Sequence, residues 1–192
     1  MNRQVMGKER LVAFIDAVIA IIMTILVLKL EKPRTFDLQG LWELRTNFFA
    51  YGLFFFWLGA MWTNFHSSSQ VVEKISQKTV WTAIIMLFFS SFFPYTTKLV
   101  ASNFNNATMQ VFYGVIVLLI SFSVLWYYHT LVEVNQTAEI EQLNISRLHW
   151  MKWDIAIKIL GIILSLTIFP AAEIVSVLIT LCALVIPNQF RL

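Results

Sequence analysis

Arg10 and Asp16 stand six residues apart at the start of an apolar run that continues to Leu30. A carboxylate inside such a run is costly in hydrocarbon, and it is offset by a partner, a water-filled cavity or a part in ion movement. At 1.5 Å per residue Asp16 lies about 8 Å inside the near boundary of the run, and Ile21 lies near the bilayer centre. An up-and-down chain path brings Trp62 and His66, at the end of the second apolar run, to the level of Asp16, together with Trp81 at the start of the third. The expected arrangement is an inner polar cluster in which Asp16 pairs with Arg10 or His66, within the chain or across a subunit boundary. Arg10 and Asp16 fall about 120° apart around a helix, so they are not a simple same-face pair. The plainer alternative is an Asp16 that faces headgroup water.

Other chemistry finds little support. His66, His129 and His149 show no H-E-x-x-H or related ligand spacing, so no metal site is expected and each reads as a structural or interfacial residue. There is no Gly-rich phosphate loop and no G-x-S-x-G elbow. Glu133, Glu139 and Glu141 fit a solvated face, and the single cysteine, Cys182, fits packing. An enzyme is not expected, nor a cofactor. The net charge of +3 is spread along the chain, which argues against nucleic acid as a partner.

The elements that must hold these residues are membrane helices. Of 192 residues 58% are hydrophobic and 13% charged, and the mean hydropathy is +0.72; such a chain cannot coat a water-soluble globule. Seven Trp and seventeen Phe suit lipid packing and interfacial belts. With roughly twenty apolar residues needed per crossing, the spacing predicts six spans, at 11–30, 47–65, 80–100, 108–130, 153–170 and 171–187. The last two are short and meet at Pro170 as a tight hairpin. The stretch 131–152 reads as the longest polar connection. The first span is too long for a cleavable signal peptide. Residues 1–192 are read as a single six-helix transmembrane domain.

Basic residues orient it. With the N-terminus inside, Arg3, Lys8, Arg10, Lys74, Lys78, Arg147, Lys152 and Arg191 are internal, against Lys29, Lys32, Arg34, Arg45 and Lys98 outside. The balance predicts a multi-pass protein of the cell membrane with both termini cytoplasmic. Within the first span Ile21, Ile25 and Leu28 recur at i, i+4 and i+7 on one face, with Thr24 beside them.

Arg10, Phe14 and Asp16 form R-x-x-x-F-x-D, which resembles the R-x-x-x-F-S-D signature of the transmembrane protein 175 family of potassium channels. Trp62 and His66 are similar to the tryptophan and histidine that end the family's second span, and SFFPYTTKL around Pro94 is similar to its L-P-F-P-T. The family's serine is Ile15 here, and an asparagine expected near the start of span three is Ala83. The resemblance implies an all-α integral membrane protein that forms a homotetramer, with the first helix of each protomer lining a central pore for potassium ions. Carried over by position, Ile21, Ile25 and Leu28 become the apolar constriction, with Thr24 in or beside it. The sequence has no T-V-G-Y-G segment, so a carbonyl filter is not expected. The expected partners are potassium, lipid and other copies of the chain. A secondary transporter, with Lys158 and Glu173 as its candidate charges, and a non-conducting structural membrane protein are the alternatives.

Overall fold

A computed structural model describes residues 7–189; Arg3 and Arg191, used above for orientation, lie outside them. The described residues fold as helices: α1 (Lys8–Val27), α2 (Leu38–Glu43), α3 (Arg45–Val71), α4 (Gln77–Ser90), α5 (Phe93–Ser102), α6 (Ala107–Val134), α7 (Ala138–Thr167) and α8 (Ala172–Thr180). A π-helical turn (Leu181–Val185) and a last short helix, α9 (Ile186–Gln189), follow.

Side chains start these helices as capping chemistry requires. Ser76 accepts from Thr79 N–H and Thr79 Oγ1 accepts from Ser76 N–H, a complete capping box for α4. Asn106 caps α6 through Met109 N–H, and Thr137 caps α7 through Ile140 N–H. Asp37 caps α2 by accepting from Gly40 N–H at 2.8 Å and from the Thr35 hydroxyl at 2.7 Å. Those two hydrogen bonds hold the Asp37 carboxyl below its ordinary pKa.

Four stretches are long and apolar enough to cross a membrane: α1, α3, α4 with α5 (Gln77–Ser102), and α6. They coincide with the first four expected spans. The third is not one helix, because Ser91 and Phe92 turn the chain between α4 and α5 and Pro94 then sits in the first turn of α5, where its missing N–H is not needed. The fifth expected span is the C-terminal half of α7. The sixth, Ala172–Val185, is a shorter apolar helix. The expected polar connection at 131–152 is mostly helix: α6 runs to Val134 and α7 begins at Ala138.

The buried side of α7 is Ile140, Arg147, Met151, Asp154, Lys158, Gly161 and Ser165. The steps of 7, 4, 3, 4, 3 and 4 make one continuous stripe on a helix. Its outer side carries Trp153, Leu160, Ile163 and Leu166, all exposed. Polar groups inward and apolar groups outward is the pattern lipid demands, since polar side chains in a bilayer face the bundle interior.

That polar stripe organises α6, α7 and α8. Lys158 Nζ donates to Asp154 Oδ2 at 2.6 Å and to Ser121 Oγ at 3.1 Å, and it lies 5.4 Å from the centre of the Trp57 ring. Glu173 on α8 is fully buried. Its carboxyl occupies a notch formed by Gly114 on α6 and Gly161 on α7: a Cβ at Gly114 would stand 2.8 Å from the carboxyl, and one at Gly161 would meet Glu173 Oε2 and Ser176 Oγ. Glu173 N–H donates to Ser165 Oγ at 2.9 Å, so α8 is tied to α7 by backbone as well as by fit. At the other end Asn135 accepts from the N–H groups of Glu73 and Lys74 and donates to Lys74 O and Leu131 O. It clamps the α3–α4 connection to the end of α6.

The notch gives a direct test. Gly161→Ala should destabilise the protein by about 1–3 kcal/mol through overpacking. Gly52→Ala, where a Cβ meets nothing within 4 Å, should leave the melting temperature unchanged or raise it, because alanine favours helix by up to about 1 kcal/mol. Thermal unfolding in detergent compares the two; equal effects would mean that the notch is not tight.

Candidate functional site: the free face of the first helix

Helix α1 divides cleanly. Leu11, Ile15, Ile19, Ile22 and Leu26 are buried against the rest of the protomer, and α1 packs on α3, α4 and α5. Phe14, Ile21, Val27 and Leu28 are exposed, Ile21 at 57% and Leu28 at 76%. Ala13, Ala17, Ala20 and Thr24 are exposed on the same side. The result is a stripe of small and apolar side chains along the length of the helix that no other described residue covers.

The expected pore residues do not all share that stripe equally. Ile21, Thr24 and Leu28 stand on it. Ile25 is only half-exposed, at its edge, about 40° round the helix from Ile21. Ile21 and Ile25 also border a groove completed by Ser91, Pro94 and Tyr95 at the α4–α5 corner. Thr24 has its hydroxyl hydrogen committed to Ile21 O at 2.9 Å, which leaves the oxygen lone pairs facing outward.

Within the protomer Asp16 does not pair with Arg10 or His66. Its Oδ1 accepts from Trp62 Nε1 at 2.8 Å, and His66 stacks on the Trp62 ring with centroids 5.4 Å apart. Arg10 is exposed, with no ion pair of its own among the described residues. Trp81 is 58% exposed on α4 and stands apart from the Asp16–Trp62 bond. Asp16 lies about 140° round α1 from Ile21 but only about 40° from Ala20, so its bond to α3 is made at the alanine edge of the free stripe and fixes the helix rotation that leaves the stripe bare. Lys8 adds a second tie: its Nζ donates to Ser69 O and Val72 O at the end of α3, where carbonyls lack helical partners.

Ile15 and Ala83 are both buried in the apolar core. Where the family pattern has polar residues, this chain fills the α1–α4 region with hydrocarbon.

Sequence reasoning missed Asp154, and it left Lys158 and Glu173 open between span ends and helix contacts. All three are buried within helices. The seven-residue spacing of Arg147, Asp154 and Gly161, with Lys158 four beyond Asp154, was the available signal. Cys182, expected in packing, is exposed. Among the described residues no group of three His, Cys, Asp or Glu side chains could hold a metal ion.

Replacing Trp62 by Phe keeps the ring but removes the donor to Asp16. The expected cost is about 1 kcal/mol of stability, with an altered flux because α1 loses its rotational tie. Melting temperature and liposome flux measured on the same preparation check it; neither changing would mean that the bond positions nothing.

Residues 10–94 match the model of the family described as Endosomal/lysosomal potassium channel TMEM175. A protein from Chryseobacterium sp. (strain P1-3), named a potassium channel, is 34% identical over 110 residues, 57% of this chain and 57% of that one. A second of the same name from Streptomyces collinus is 26% identical over 131 residues, 63% of this chain and 64% of its own. The chain thus spans less than two thirds of either relative's length. In fold it is similar to the crystal structure of a lysosomal potassium-selective channel TMEM175 homolog from Chamaesiphon minutus. That likeness has a TM-score of 0.69 at 20% identity and covers 91% of this chain and 97% of the other. The resemblance read from Arg10, Phe14 and Asp16 therefore holds at two levels: residues 10–94 carry the TMEM175 family signature, and nearly the whole chain carries the fold of a TMEM175 homolog.

Proposed function

We propose that this protein is a potassium-permeable channel in which the free faces of four α1 helices, one from each protomer of a homotetramer, line a central pore. The observation that carries the reading is the bare stripe of α1. It runs unbroken from Ala13 to Leu28, is apolar without charge, and belongs to a helix less covered by its own protomer than α3 to α6. A cyclic assembly is the usual way for identical copies to bury one such patch each.

In this reading the protomer is one domain with six membrane crossings, the last two being the C-terminal half of α7 and the α8 segment, and both termini are cytoplasmic. Ile21, with Leu28 and at its edge Ile25, forms an apolar ring too narrow for a hydrated ion. Conduction then waits for the ring to widen or wet, and the barrier is dehydration. Discrimination between cations comes from that barrier, not from a ring of carbonyls. Neither enzymatic chemistry nor a bound cofactor enters the reading.

One observation favours a secondary transporter instead: Asp154, Lys158 and Glu173 form a buried charged cluster, as transport sites do. A channel dissipates a potassium gradient passively in liposomes, whereas a transporter requires a coupled ion.

The Ile21→Asn variant tests the ring. Polar groups there ease hydration, so potassium flux at matched incorporation should rise and any preference over sodium should fall. Ile25→Asn should act less strongly, and a lipid-facing change such as Leu160→Asn should do neither. An Ile21→Asn tetramer with wild-type conductance and ion preference would remove Ile21 from the pore.

A further inference from the structure

We propose that Arg147 is the base of a binding site for a phosphate group, built where α3, α6 and α7 meet. Arginine keeps its charge throughout the accessible pH range and carries five N–H donors with no acceptor. Arg147 is 2% exposed. Its Nη2 donates to Asn64 O at 3.0 Å, and its guanidinium lies 4.2 Å from the centre of the Tyr128 ring. Its Nε and Nη1 are buried without a partner, and no ion pair reaches it among the described residues. Buried charges persist in proteins when they are paired, and among the described residues this cation has no anion.

The space for that anion is beside it. One cavity of about 40 Å³ is lined by Asn64, Tyr128, Arg147, Trp150 and the Asp154–Lys158 pair. A second, of about 20 Å³, reaches Arg147 from the side of Ser68 and Asn144. One water needs on the order of 10–15 Å³ measured this way, so the first cavity takes a cluster of a few oxygen-sized atoms, the scale of one tetrahedral oxyanion. Charge agrees: of the three charged side chains that line this cavity, Lys158 and Asp154 pair at 2.6 Å, and Arg147 is the one left over. Asp154 follows Arg147 by seven residues, about 10 Å along the helix, and no ion pair joins the two. The unprotonated oxygens of a phosphate group accept, and guanidinium matches them with strong charge-assisted hydrogen bonds.

Arg147 bonds the part of α3 just beyond Trp62, at the end of the bundle that holds the Asp16–Trp62 bond and the polar α3–α4 connection. A phosphate there belongs either to an anionic lipid headgroup or to a free ion. The site stands apart from conduction, and its test needs no flux.

The full-length protein in detergent is stripped of lipid and titrated with phosphatidylglycerol, with diacylglycerol lacking the phosphate, and with inorganic phosphate against chloride at equal ionic strength. Native mass spectrometry reads binding and thermal unfolding reads protection. Phosphatidylglycerol should bind roughly tenfold more tightly than diacylglycerol, the equivalent of about one charge-assisted hydrogen bond, and should raise the melting temperature. Protection by inorganic phosphate as well identifies a free-ion site; protection by the lipid alone identifies a headgroup site. Arg147→Gln should abolish the difference and Arg147→Lys should retain part of it. If neither phosphate nor phosphatidylglycerol binds the wild type above its control, the cavity holds only water and the proposal fails. Undiminished binding to Arg147→Gln would also overturn it.

Discussion

Much of the molecule follows from the need to keep Lys158 and Asp154 paired away from lipid. Their bond of 2.6 Å is made between residues four apart on one helix, so it forms as soon as α7 does and needs no long-range search. An ion pair still cannot face hydrocarbon. It fixes which side of α7 turns inward, and Arg147, Gly161 and Ser165 fall on that side by helical period. The glycine then admits the Glu173 carboxyl and brings α8 close. Ser121 and Trp57 complete the surround from α6 and α3.

Helix α1 obeys the opposite constraint. It has no polar stripe to hide, and its apolar residues lie on both faces, so hydrophobic burial alone would set its rotation only weakly. The bond from Trp62 to Asp16 and the two bonds from Lys8 supply the missing direction. With α1 pinned in this orientation, Leu11, Ile15, Ile19, Ile22 and Leu26 enter the core and the Ile21–Leu28 side is left for whatever lies outside the protomer.

The two halves therefore use charge differently. In α7 and α8 buried polar groups are satisfied largely within the protomer, although Asp154 Oδ1 and Glu173 Oε1 have no partner among the described residues. In α1 a single carboxylate near the end of the span sets geometry for an otherwise apolar surface. In the proposed channel α1 is held by its neighbours but left open along one side, which is what a constriction able to widen requires.

The sequence by itself determined the membrane class, the first four apolar helices and the family motif at Arg10, Phe14 and Asp16, because hydrocarbon thickness imposes a length and a composition that any span must meet. It also determined that Ile21 and Leu28 share a face, since helical period depends on no neighbour. Only the tertiary structure decided that the partner of Asp16 within the protomer is Trp62, that Ile25 sits at the edge of the free stripe, that span three breaks at Ser91 and Phe92, and that Lys158 and Glu173 are buried in the bundle. Period fixes angles within one helix, but how that helix is rotated against the next depends on which side chains interlock. A glycine notch at Gly114 and Gly161 is invisible until α8 arrives to fill it.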